Sequence, residues 1–180
     1  MRRDPIDYLD EVGLIVERLD DLGLSPVLVG GMALVILGSR RVTRDFDFVI
    51  ANPDKQLDAV VGLFYDRGLE LASRVNDEGE VTATIDNRKV ASARLRIDAP
   101  SSAYFVNHKS GLRIDLLFDF PMAAASLSKT ARRTKVRSHV FKVASEKDLL
   151  RLKKIARSGR SSPGDDHDIA FLQARRKASR

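Results

Sequence analysis

The chain has 180 residues and no cysteine, which suits one domain, or one domain with a small helical appendage. The missing cysteine excludes a disulfide framework, thiolate metal sites and thiol nucleophiles. An apolar content of 43% allows a core of its own, and the net charge of +6 hides an uneven distribution, acidic at the N-terminus and basic late in the chain.

The first segment, Met1-Arg2-Arg3, is basic, but Asp4, Pro5 and Asp7 follow where a leader needs an apolar run. The longest apolar runs fall far short of the roughly 20 residues that span a bilayer, so a soluble, cytoplasmic protein with no membrane partner is expected. Asp4–Leu22 reads as an amphipathic helix, with Ile6, Leu9, Val12, Val16 and Leu19 at three- and four-residue spacing. Asp4 before Pro5 suits its start, and Gly23 its end.

Val27–Val29 is a short buried strand, followed by Gly30-Gly31, a helix over Met32–Leu37 and a stop at Gly38. A basic loop, Ser39–Arg44, leads into a strand carrying Asp45 and Asp47. Asp54–Leu69 is a second amphipathic helix, entered through Asn52-Pro53. Two or three weakly defined strands are then predicted, over Glu70–Val75, Val81–Ile85 and Val90–Ile97. Ala103–Val106 and Leu112–Phe120 form the next pair. In the latter, Leu112, Ile114, Leu116 and Phe118 alternate with Arg113, Asp115, Leu117 and Asp119, a period of two with one apolar face. Asp115 therefore projects from the face opposite the apolar one, as Asp45 and Asp47 do relative to Phe46 and Phe48.

Pro121–Ala125 breaks the strand, and Lys129–Val143 is basic with a strand-like tail at Val136, Val140 and Val143. Ser145 caps a helix over Glu146–Arg157. Ser158–Gly164 is a linker, Asp165–Ala174 a last helix that Asp165 and Asp166 would cap, and Arg175–Arg180 a frayed basic tail. The expected organisation is a core over 1–144 with a helical segment over 145–180 packed on it.

Asp45-Phe46-Asp47 carries the sharpest chemical signal. Residues two apart on a strand share a face, about 6–7 Å apart along it. Two unpaired carboxylates so close repel and raise each other's pKa, and a hard divalent cation such as Mg²⁺ relieves the repulsion. The plain alternative is pairing with Arg40, Arg41, Arg44 or solvent. Gly30-Gly31 between a buried strand and a helix lets backbone N–H groups approach an anion, or makes only a tight turn. His108 and His139 have no ligand partner at useful spacing, and no Ser/His/Asp nucleophile set occurs.

The combination in GGMALVILGSRRVTRDFDF resembles the signature of the nucleotidyltransferase superfamily related to DNA polymerase β. The likeness is closest to AbiEii/AbiGii-type and related small bacterial nucleotidyltransferases, some of them toxins of toxin–antitoxin pairs. Gly30, Gly31, Arg40, Arg41, Thr43, Asp45 and Asp47 match that pattern in order. The resemblance implies an α/β (α+β) nucleotidyltransferase fold, a mixed sheet of four to six strands flanked by helices with a short C-terminal helical part. It implies Asp45, Asp47 and Asp115 as catalytic and metal-binding residues, with two Mg²⁺ ions. Gly30, Gly31, Arg41, Thr43 and Lys153, with Lys154 as rival, would bind the nucleotide. Asp165, Asp166 and Asp168 resemble a closing acidic motif. The implied activity is transfer of a nucleoside monophosphate from an NTP such as ATP to an acceptor hydroxyl.

The basic stretch over 129–160 holds Lys129, Arg132, Arg133, Lys135, Arg137, Lys142, Lys147, Arg151, Lys153, Lys154, Arg157 and Arg160 against Glu146 and Asp148. It favours a nucleic-acid acceptor such as tRNA, or is a solvated basic face. A toxin role with an antitoxin partner follows from the resemblance alone. A small-molecule acceptor of the antibiotic type, a protein hydroxyl, and a non-catalytic nucleotide- or nucleic-acid-binding protein are the competing readings. Few aromatics argue against base stacking.

Overall fold

The computed structural model describes residues 8–159 and 163–178. Its centre is one mixed sheet of eight strands in the order β4-β3-β5-β6-β2-β1-β8-β7. The strands are β1 (Val27–Val29), β2 (Asp45–Ile50), β3 (Glu70–Val75), β4 (Val81–Ile85), β5 (Ser102–Val106), β6 (Arg113–Phe118), β7 (Arg132–Val136) and β8 (His139–Val143). The β2/β6 and β1/β8 pairs are parallel and the others antiparallel. The helices are α1 (Tyr8–Asp21), α2 (Gly30–Ile36), α3 (Leu57–Tyr65), α4 (Arg88–Asp98), α5 (Ala124–Thr130), α6 (Glu146–Gly159) and α7 (Pro163–Ala178).

Alternation sets the two faces of the central strands. Phe46, Phe48, Ile114 and Leu116 are fully buried, whereas Asp45, Asp47, Arg113 and Asp115 between them are only half-buried. The apolar side continues into α1 and α3 through Ile15, Leu19, Val61 and Phe64, and Phe64 stacks on Phe105 with ring centroids 4.2 Å apart.

Four expectations need correction. Val90–Ile97 is helix, not strand: Ala91 and Leu95, four apart, are buried, while Val90 and Ile97 are 53% and 81% exposed. Asn87 caps this helix, its side chain accepting from the Lys89 and Val90 amides at 3.0 and 3.1 Å. The second departure is α5, which occupies residues read as a strand break and the start of a basic extended segment. Asp119 Oδ1 accepts from the Ala124 amide at 2.8 Å at its start. Third, the basic segment is a hairpin, β7–β8, whose second strand docks parallel to β1 and takes the sheet past four to six strands. Fourth, Arg175 is no frayed tail: it lies in α7, donating to Glu146 at 2.9 Å and to the Leu37 carbonyl at 2.7 Å. Asp4, Pro5 and residues 160–162 of the expected linker lie outside the described residues, while its two ends belong to α6 and α7.

The charge asymmetry of the sequence is partly neutralised inside the fold. The acidic α1 lies on β8, so Asp10 pairs with Arg137 and Asp20 with Lys142, both at 2.8 Å. His139 Nδ1 meets Glu17 at 2.7 Å, a partner invisible in the local sequence. The His139 ring takes the space that a side chain at Gly13 would need: a Cβ there would stand 2.2 Å from its Cγ.

Candidate active site

The site is a row of polar side chains crossing the sheet on the face away from the aromatic core. On parallel strands β2 and β6, Asp47 and Asp115 are register partners, and Asp45 is partnered by Arg113. One strand further, Tyr104 of β5 stands opposite Asp115; on the other side, Val29 stands opposite Asp47 and leads directly into the glycine turn. Adjacent strands lie about 4.8 Å apart, so Asp47 and Asp115 are brought together by pairing alone.

The turn closes over Asp47. Gly30 has φ +65°, a left-handed conformation that favours glycine, and a Cβ at this position would lie 1.9 Å from Asp47 Oδ2 and 3.0 Å from Asp47 Cβ. The Gly31 amide donates to the Asp47 carboxylate. A Cβ at Gly31 would meet the Arg41 guanidinium, with Cζ at 2.9 Å, so the Arg41 head lies against the turn. Both glycines are thus tied to the strand carrying the carboxylates.

Electrostatics divide the site into an acidic row and a basic flank. Burial, then the Asp45 charge, push Asp47 from 3.8 to about 6, against the opposing pull of Lys153 and Arg41. Burial, then Asp47 and Asp45, raise Asp115 to about 7. Arg113 stands 4.0 Å from Asp45 Oδ1, and among the described residues no arginine forms an ion pair with Asp115. Tyr104 is raised to about 12 by burial first and by Asp45 next, while its hydrogen bond to Arg113 acts in the opposite direction. Tyr104 and Arg113 were missed from sequence, although Tyr104 shares the alternation that exposes Asp115.

Asp115 Oδ1 and Asp45 Oδ1 are buried and have no hydrogen-bond partner among the described residues. Orphaned anionic oxygens of this kind fit a hard divalent cation, whose ligands are carboxylate oxygens. Among the described residues no group of three or more His, Cys, Asp or Glu side chains is placed to hold a metal ion as it stands; Asp47 and Asp115 are register partners, with Asp45 two residues along β2.

The C-terminal helices bring the cations. Lys153 of α6 pairs with Asp165 at 3.1 Å and with Asp168 at 2.8 Å, and Asp168 also pairs with Arg41. Asp165 and Asp168 are each 3% exposed, so Asp165 is an internal counter-ion rather than only a cap, while Asp166 faces outward to Arg157 at 3.1 Å. The spacing of Asp165 and Asp168, three apart on a helix, was the signal that both face one way. Lys154 is exposed and does not join this network. Thr43 lies half-buried in the loop before β2.

No family model and no curated protein matches the sequence. Three solved structures share the architecture. A provisionally assigned nucleotidyltransferase of Thermotoga maritima is 12% identical with a TM-score of 0.51, covering 85% of this chain and 89% of its own. An antigenic nucleotidyltransferase-like protein of Paracoccidioides brasiliensis is 19% identical with a TM-score of 0.55, covering 92% and 75%. The antibiotic-resistance factor ANT(2″)-Ia is 10% identical with a TM-score of 0.54, covering 94% and 86%. With the glycine turn packed on a strand carrying Asp-x-Asp, these likenesses identify the architecture: this chain has the nucleotidyltransferase fold.

Proposed function

We propose that the protein transfers a nucleoside monophosphate from an NTP to an acceptor hydroxyl, releasing pyrophosphate, in a divalent-cation-dependent reaction. The observation that carries this reading is the pairing of Asp47 with Asp115, beside Asp45 and between the glycine turn and the Arg41–Lys153 pair. Asp45, Asp47 and Asp115 would hold Mg²⁺. Bound there, Mg²⁺ supplies Lewis-acid stabilisation of charge on the phosphates. Asp115, paired in register with Asp47, takes the proton from the acceptor hydroxyl. Arg41 and Lys153 offset charge on the departing pyrophosphate. Gly30, Gly31 and Thr43 shape the pocket for the phosphates.

RNA, tRNA above all, is the favoured acceptor, supported by the basic surface of the C-terminal helices. A toxin role with an antitoxin partner rests on the resemblance of residues 30–47 alone. A small-molecule acceptor is the second reading, favoured by the likeness to ANT(2″)-Ia, an antibiotic-resistance factor. The test incubates the protein with labelled NTPs, Mg²⁺ and total tRNA. Label on RNA that Asp47→Asn abolishes is expected; label on a small molecule or on protein moves the acceptor. Equal transfer by wild type and Asp47→Asn would overturn the site.

A further inference from the structure

The lysines and arginines of α6 divide between two faces. Lys153 points to the site, 14% exposed and held by Asp165 and Asp168. Its neighbour Lys154, about 100° further round the helix, lies on another face with Lys147 and Arg151, at i, i+4 and i+7. These three, with Arg176 of α7, line an open groove of ≈ 410 Å³ whose apolar side is made by Leu150 and Ile155.

The cations of the groove have no counter-ions among the described residues. Arg137, Lys142, Lys153, Arg157 and Arg175 all pair with carboxylates. Among the described residues, no carboxylate pairs with Lys147, Arg151, Lys154 or Arg176, and no acid lines the groove. Of the cations in the basic stretch that no carboxylate among the described residues pairs, Lys147, Arg151 and Lys154 are the ones gathered along a groove.

We propose that this groove between α6 and α7 binds the phosphate backbone of an RNA acceptor, outside the nucleotide site; the identity of the acceptor rests on the reading given above. The cations run over about 10 Å of helix axis, a length suited to successive phosphates rather than to one small anion. The side chains offer charge and an apolar strip with no aromatic platform, so binding is to backbone and sugar and is tolerant of base sequence. The nucleotide's own phosphates are served by the other face of the helix, through Lys153. One helix then holds both substrates, each on its own side.

The probe is fluorescein-labelled tRNA, titrated by anisotropy over a range of potassium chloride concentrations. Lys147→Ala/Arg151→Ala should weaken binding by about tenfold or more at low salt and cut the log–log salt slope by roughly 1.5, the share of two phosphate contacts. Lys147→Arg/Arg151→Lys should bind as wild type. Calorimetric binding of Mg·ATP should be unchanged in both, because Arg41 and Lys153 are untouched. Wild-type affinity and slope in the double alanine variant would overturn the groove, even if label still reaches tRNA. Tighter binding of polyglutamate of equal charge than of tRNA at the same salt would also overturn it, in favour of an acidic protein partner. Groove-dependent tRNA binding with no label transfer would leave the groove standing and remove RNA as the acceptor.

Discussion

Arg41 and Asp168 form an ion pair across 127 residues of sequence, joining the loop before β2 to helix α7. Asp168 is nine-tenths buried and holds Lys153 as well, so one carboxylate sets the position of both cations that flank Asp47. The C-terminal helices thereby supply a carboxylate and a lysine to the flank of the candidate site.

Asp168→Asn tests that relationship. Removing a buried anion from between two cations should cost about 3–5 kcal/mol, read by urea unfolding. In transfer assays KM for the NTP should rise more than kcat falls, since the cations lose their placement but keep their charge. A lower KM would mean instead that Asp168 competes with the phosphates for Arg41 and Lys153.

Gly30→Ala meets two obstacles, a left-handed backbone and a Cβ driven into Asp47. Gly23 shares the backbone conformation, with φ +74°, but has open space where a Cβ would lie. The expected destabilisation is about 1 kcal/mol for Gly23→Ala and about 3 kcal/mol or more for Gly30→Ala, measured by the same unfolding experiment. Equal losses would show that contact with Asp47 contributes nothing.

The pH dependence follows from Asp47 at about 6 and Asp115 at about 7, both above the ordinary 3.8. The folded chain holds these protons more tightly than the unfolded one. Their contribution to stability is therefore full below about pH 4 and is lost as pH rises through 6 to 7. Without divalent cation, Asp115→Asn should flatten this loss in a series of thermal melts. Because a metal ligand must be deprotonated, the gain in Tm from Mg²⁺ should be larger at pH 8 than at pH 5. A Mg²⁺ effect independent of pH would argue against Asp47 and Asp115 as its ligands.

Asp45→Asn and Asp47→Asn should each lower kcat/KM for nucleotidyl transfer by at least about a hundredfold, the scale of several kcal/mol of lost charge stabilisation. The thermal stability of Asp47→Asn at neutral pH should hold or rise, because a repelled, half-buried carboxylate is removed. Loss of folding in both variants would make the row structural.

The sequence by itself determined the turn and the strand. A buried Val-Leu-Val, a glycine pair and alternating Asp-Phe-Asp-Phe report local geometry, since a period of two decides which face each side chain takes. Alternation likewise put Asp115 on the site's face before its strand had a neighbour. Where a segment lacked a clean period, the local signal failed. Val90–Ile97 folds as α4 because Asn87 caps it and Ala91 and Leu95 pack inward.

Only the tertiary structure decided what each charge does. Asp10, Asp20 and Glu17 look like a solvated acidic face until α1 is laid on β8, where they meet Arg137, Lys142 and His139. Lys153 and Lys154 are indistinguishable as neighbours in sequence, yet one is enclosed by Asp165 and Asp168 and the other lines an acid-free groove. Local periodicity fixes the face on which a side chain stands. The partner it finds there is set by how whole elements pack, 12 residues away for Lys153 and Asp165 and more than a hundred for Asp10 and Arg137, because ion pairing depends on distance in space.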